Sequence, residues 1–114
     1  MSSQLYSLTG YLISNGTLKL GKTNKFWFAY NETTCVLESY LNENVFILNK
    51  NLILNQIDIS KSAIVPESET NFQFSILSNS KRYILKAENL ESYQIWTKEL
   101  QVAIFLIISN NTKS

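Results

Sequence analysis

Histidine is absent from this 114-residue sequence, and cysteine occurs once, at Cys35. Without imidazole or a second thiol the chain can build neither a zinc site of ordinary ligand composition, nor an internal disulfide, nor a Ser-His or Cys-His nucleophile. Cys35 reads as a small strand residue in a reducing compartment. Glycine occurs three times, and no Gly-rich loop that could cradle a phosphate is present. Carboxylates are not clustered in pairs, so general acid-base chemistry lacks its usual groups. No enzyme activity and no cofactor are expected.

An excess of one charge sign is missing too. Ten basic residues stand against nine acidic ones, a net charge of +1. No global field steers the protein towards nucleic acid or an anionic membrane, so attraction of that kind has to come from a local cluster. No nucleic-acid partner is expected. The longest apolar run, residues 102–108, is far short of the roughly 20 residues that span a bilayer. Residues 1–9 combine neither a basic region nor a long apolar run, so they do not resemble a signal peptide. The expected location is cytoplasmic, with peripheral membrane attachment as the membrane-linked alternative.

What is present is mostly strand pattern. Gly10-Tyr-Leu-Ile-Ser14 makes a short strand, followed by a loop that carries Lys19 and Lys22. In Lys25-Phe-Trp-Phe-Ala-Tyr30 the alternation puts Phe26, Phe28 and Tyr30 on one face and Trp27 and Ala29 on the other. Asn31-Glu-Thr33 makes a turn, and Cys35-Val-Leu-Glu-Ser-Tyr40 returns antiparallel. Residues 41–55 hold two apolar pieces around Asn49-Lys-Asn51 and read as either a small extra hairpin or a loop. Gln56-Ile-Asp-Ile-Ser60 and Ser62-Ala-Ile-Val65 are two short strands, the second ended by Pro66 in a loop with Glu67 and Glu69. Residues 71–77 and 82–87 complete the set, joined by the turn Ser78-Asn-Ser80.

Only residues 89–108 change period. Leu90, Tyr93, Trp96, Leu100, Ala103, Ile104 and Ile107 fall on one stripe of a 3.6-residue helix. Asn89 is placed to cap it, and Glu91 meets the positive end of its dipole. Val102, Phe105, Leu106 and Ile108 lie off the stripe and are expected to be exposed. Seven short strands and one C-terminal helix make a mainly β fold, a seven-stranded antiparallel sandwich or barrel capped by the helix. The whole chain, 1–114, forms one domain with its core at about 8–108 and a polar tail at 109–114.

These residues resemble the pleckstrin homology (PH) domain. Gly10-Tyr-Leu12 looks like the family's opening Gly-x-Leu, Phe26-Trp-Phe28 like its strand-two Arg-Trp-Phe, and Cys35-Val-Leu37 like its strand-three Cys-x-Leu. Arg82-Tyr-Ile-Leu-Lys-Ala87 resembles the Arg-x-Tyr-x-Leu-x-Ala strand, and Trp96 the helix Trp. Ile57-Asp-Ile-Ser60 and the segment around Trp96 and Leu100 are similar to the PH domains ahead of some TBC-type Rab GTPase-activating proteins. Trp27, Phe28, Trp96 and Leu100 are then expected to be structural.

The resemblance implies a non-catalytic targeting or interaction module of a larger cytosolic signalling or trafficking regulator. It also points to where headgroup-binding members converge basic residues, here Ser14, Asn24, Phe26 and Leu41, and to the strand-three Tyr that helps hold a phosphate, here Ser39, none of the five being basic. Several phosphates need converging cations and donors to replace lost water. A protein partner or a neighbouring domain is therefore expected. The alternative is weak contact with an anionic lipid surface through Lys19, Lys22, Lys25, Lys81 and Arg82, at about 1 kcal/mol per residue. The sequence leaves the oligomeric state open.

Overall fold

In the computed structural model the described residues are 5–14 and 25–111. Seven strands, β1 (Tyr6–Ser14), β2 (Lys25–Asn31), β3 (Val36–Tyr40), β4 (Asn55–Asp58), β5 (Ser62–Ser68), β6 (Gln73–Ser78) and β7 (Lys81–Lys86), are antiparallel. They form one sheet in the order β4-β3-β2-β1-β7-β6-β5. The expected seven-stranded antiparallel sandwich or barrel is thus built from one continuous sheet. β1 is the shared strand, paired with β2 along nearly its whole length but with β7 only at Ile13 and Ser14. The sheet folds over at that short link, so Leu12, Phe28, Leu37 and Ile57 from one half share a core with Phe74, Ile76 and Leu85 from the other.

The alternation in β2 is as expected. Phe26, Phe28 and Tyr30 enter the main core, whereas Ala29 and Trp27 belong to a second cluster on the outer face with Tyr6, Tyr40 and Phe46. A register shift between Tyr6 and Leu8 sends these two to opposite faces. Aromatic rings make up most of the outer cluster: Trp27 meets the Tyr11 ring edge-on at 4.9 Å, and Phe46 meets Tyr6 at 5.0 Å and Tyr40 at 5.1 Å.

Phe46 comes from residues 41–55, which are neither a hairpin nor a bare loop. They contain a short helix, α1 (Glu43–Leu48). Asn42 caps it by accepting the Val45 N–H at 2.9 Å, and the Lys50 ammonium donates to the Phe46 carbonyl at 3.1 Å. Pro66 does not end a strand as expected; it lies inside β5, at the edge of the sheet. There its missing N–H costs no ladder bond, and the register shift after it absorbs the ring. Cys35 is likewise no strand residue. It closes the β2–β3 turn with φ 61, its N–H donating to the Asn31 carbonyl at 2.8 Å. Asn79 and Ser80, with φ 51 and 67, supply the left-handed pair that a two-residue hairpin turn requires between β6 and β7.

The C-terminal helix, α2 (Leu90–Asn111), starts where expected, with the Asn89 side chain accepting the Ser92 N–H at 2.8 Å. Tyr93, Trp96 and Leu100 are buried, and Ala103 and Ile104 pack beside them. Leu90, the first residue of the proposed stripe, is instead exposed, because the helix has not yet met the sheet there. The helix packs on β5, β6 and the 3-10 turn Ile59–Lys61 that joins β4 to β5. It thereby covers the side where the folded sheet does not close on itself. The Trp96 ring reaches back to β1 at Gly10, where a Cβ would stand 3.4 Å from the indole Nε1.

Candidate interaction surfaces

Cross-strand pairing fixes where three of the candidate headgroup positions point. Phe26 lies opposite Leu12, Ser39 opposite Phe28, and Ser14 opposite Leu85. All three face the main core and are buried, at 4%, 1% and 0% exposure. Phe26 fills its site as a core side chain. The hydroxyls of Ser14 and Ser39 have no hydrogen-bond partner among the described residues. Leu41, just past β3, is exposed. Asn24 lies outside the described residues, as do Lys19 and Lys22.

The three described cations of the proposed lipid-contact set have different surroundings. Lys25 bonds Glu88 at 2.7 Å and sits 4.9 Å from the centre of the Tyr11 ring. That bond to the carboxylate raises the pKa of its ammonium above the usual lysine value. Arg82 pairs with Glu67 and donates from Nε to the Ser75 hydroxyl at 3.1 Å, while that hydroxyl donates to Glu67 at 2.6 Å. The Ser75 hydrogen bond, followed by Arg82, holds the Glu67 carboxyl below the ordinary carboxylate range. Lys81 lines a cleft of about 400 Å³ together with Asp58, Ser60 and Asn79. Lys25 and Arg82 would therefore have to exchange a carboxylate for a phosphate before they could bind one.

On the outer face the carboxylate of Glu38, only 4% exposed, accepts hydrogen bonds from the Tyr6 hydroxyl at 2.9 Å, the Tyr40 hydroxyl at 2.6 Å and the Asn31 amide at 3.3 Å. Burial, and then the bond to this carboxylate, pushes both phenols above the usual tyrosine value. Sequence reasoning missed this cluster. Its signal was the run of large aromatics at Tyr11, Trp27 and Tyr40, on the strand face opposite the expected core. Reasoning from sequence also missed two grooves between β1 and α2, of about 280 and 310 Å³, because they depend on how the helix lies across the sheet. The exposure expected of Val102, Phe105, Leu106 and Ile108 is observed, and Val102 and Leu106 line the first groove.

A folded-over sheet of seven antiparallel strands covered by one C-terminal helix places the chain among the small β-barrel domains. The chain belongs to the PH domain family, whose model matches residues 7–105. It is similar in fold to the PH domain of human TBC1 domain family member 2 protein, at 23% identity and a TM-score of 0.74 over 96% of this chain and 89% of that one. The PH domain of human oxysterol binding protein-related protein 11 is 20% identical with a TM-score of 0.69, over 91% and 82% of the two chains. The C-terminal PH domain of pleckstrin, solved in complex with D-myo-Ins(1,2,3,5,6)P5, is 21% identical with a TM-score of 0.70, over 90% and 99%. Among curated proteins, a sterol 3-beta-glucosyltransferase of Leptosphaeria maculans is 30% identical over 101 residues, 87% of this chain. The chain spans only 7% of the length of that enzyme. Among the described residues no helix is long and apolar enough to cross a membrane.

Proposed function

We propose that this PH domain is a non-catalytic interaction module of a larger cytosolic regulator and that it engages chiefly proteins. One observation carries the reading: Ser14 and Phe26, which match positions where headgroup-binding members carry basic residues, and Ser39, which matches a Tyr that helps hold a phosphate, are uncharged and sealed in the core. A polyphosphate brought there would lose its water and gain no cation in exchange. The larger host is a trafficking or membrane-acting protein in this reading. Its support is the likeness to PH domains of a TBC1 family member and an oxysterol binding protein-related protein, and the match to a small part of a sterol glucosyltransferase.

A second reading, attachment to anionic lipid through Lys19, Lys22, Lys25, Lys81 and Arg82, is favoured by the likeness to a PH domain solved with an inositol phosphate. Such contact would be Coulombic, at about 1 kcal/mol per cation near the surface. Co-sedimentation with vesicles carrying phosphatidylserine or single phosphoinositides separates the two. We expect at most weak binding at about 0.1 M salt, indifferent to the phosphoinositide isomer. It should vanish at about 0.5 M, where the Debye length falls below about 5 Å. Isomer-selective sedimentation that survives high salt would establish the lipid reading instead.

A further inference from the structure

β1 leaves one edge largely open. It bonds β2 from Tyr6 to Ile13, but β7 joins its other edge only at Ile13 and Ser14, so among the described residues the stretch before Ile13 has no strand partner on that side. An unpaired strand edge is a template for another extended chain. The two grooves between β1 and α2 follow this stretch, one taking in Ser7 and Leu8 and the other Leu8 to Tyr11. In the first, Leu8, Val102, Ala103 and Leu106 offer an apolar lining, with Val102 and Leu106 exposed. Among the described residues, every charged one lining either groove is acidic: Glu32 and Glu99 in the first, Glu88 and Glu91 in the second. Of these, Glu88 already has Lys25 as its partner.

We propose that the open edge of β1 beside α2 is a docking site for an extended peptide that carries both apolar and basic residues. Such a peptide adds as a strand along residues 7–11. Its apolar side chains meet Leu8, Val102 and Leu106, and its cations meet Glu32, Glu99 and Glu91. Both characters are called for because one and the same lining is apolar at Leu8, Val102 and Leu106 and acidic at Glu32 and Glu99. The basic character follows from the all-acidic lining, because a like-charged peptide would be repelled. The inference rests on the protein-interaction reading and names the chemistry of the partner.

A synthetic peptide of alternating Lys and Val, about eight residues long to match a typical strand, is the probe. Its counterpart with Glu in place of Lys is the control, and both are titrated into the isotope-labelled full chain. Amide signals of residues 7–11, Glu32, Cys35 and 99–110 should shift with the Lys peptide and stay still with the Glu peptide. The double variant Glu32→Lys, Glu99→Lys changes two exposed side chains and should retain its fold, seen as an unchanged spectrum elsewhere. Its affinity for the Lys peptide should fall about tenfold, as two modest surface attractions turn into repulsions. Equal binding of the Glu peptide, an unweakened double variant, or shifts lying away from β1 and α2 would overturn the proposal. A silent peptide in a protein that also ignores phosphoinositide vesicles overturns the groove alone. Isomer-selective vesicle binding overturns the reading beneath it.

Discussion

Replacing Trp96 with alanine is expected to lower the unfolding free energy by about 3 to 5 kcal/mol, the range for deleting a buried large aromatic. The indole is only 2% exposed and belongs to the one core that both halves of the folded sheet share. Its ring also lies against Gly10, so it joins α2 to β1 as well as filling space. Domains of this size hold about 5 to 15 kcal/mol in total, so the variant should be close to unfolding. Urea melts read it directly. A variant within about 1 kcal/mol of the natural chain would mean that the helix does not close the sheet in the way described.

The second large effect is expected on the other face of the sheet. Glu38→Ala removes the acceptor that Tyr6, Tyr40 and Asn31 share beneath α1. Each bond to an ionised carboxylate is worth about 1.5 to 3 kcal/mol, and donors left buried without a partner add a cost. Tyr40 keeps a bond to the Lys50 carbonyl at 3.2 Å, which limits the damage. The net loss should be about 2 to 4 kcal/mol, accompanied by loosening of α1, whose Phe46 packs on both phenols. Melts and the near-ultraviolet dichroism of the aromatic cluster check both parts. A neutral result would show that the carboxylate is solvated and the cluster held by its rings alone.

The fold was legible where the information is local. Period-two alternation separated Phe26, Phe28 and Tyr30 from Trp27 and Ala29, and the helical period and the Asn89 cap located α2. Distant pairings were not legible. The fold-over of the sheet depends on Ile13 and Ser14 meeting Leu85 and Lys86, and no local pattern encodes that. α1 escaped because a six-residue helix with one buried residue, Phe46, shows no period. Pro66 misled because a proline tolerated on an edge strand looks the same in sequence as one that ends a strand. The resemblance offered Ser14, Phe26 and Ser39 as candidate headgroup positions, and the burial of the two serines emerged only from the strand pairing. The ion pairs on Lys25 and Arg82 could not be read, since Glu88 and Glu67 come from elements far along the chain.

The central claim is that Ser14, Phe26 and Ser39 leave no polyphosphate cup, and a calorimetric titration of the protein with soluble inositol polyphosphates tests it most directly. Losing two or three charge-assisted contacts of about 1.5 to 3 kcal/mol each weakens binding by several powers of ten. The expected result is therefore no saturable heat with any isomer. Micromolar or tighter affinity for one isomer, retained at about 0.5 M salt where long-range attraction is screened, would contradict it.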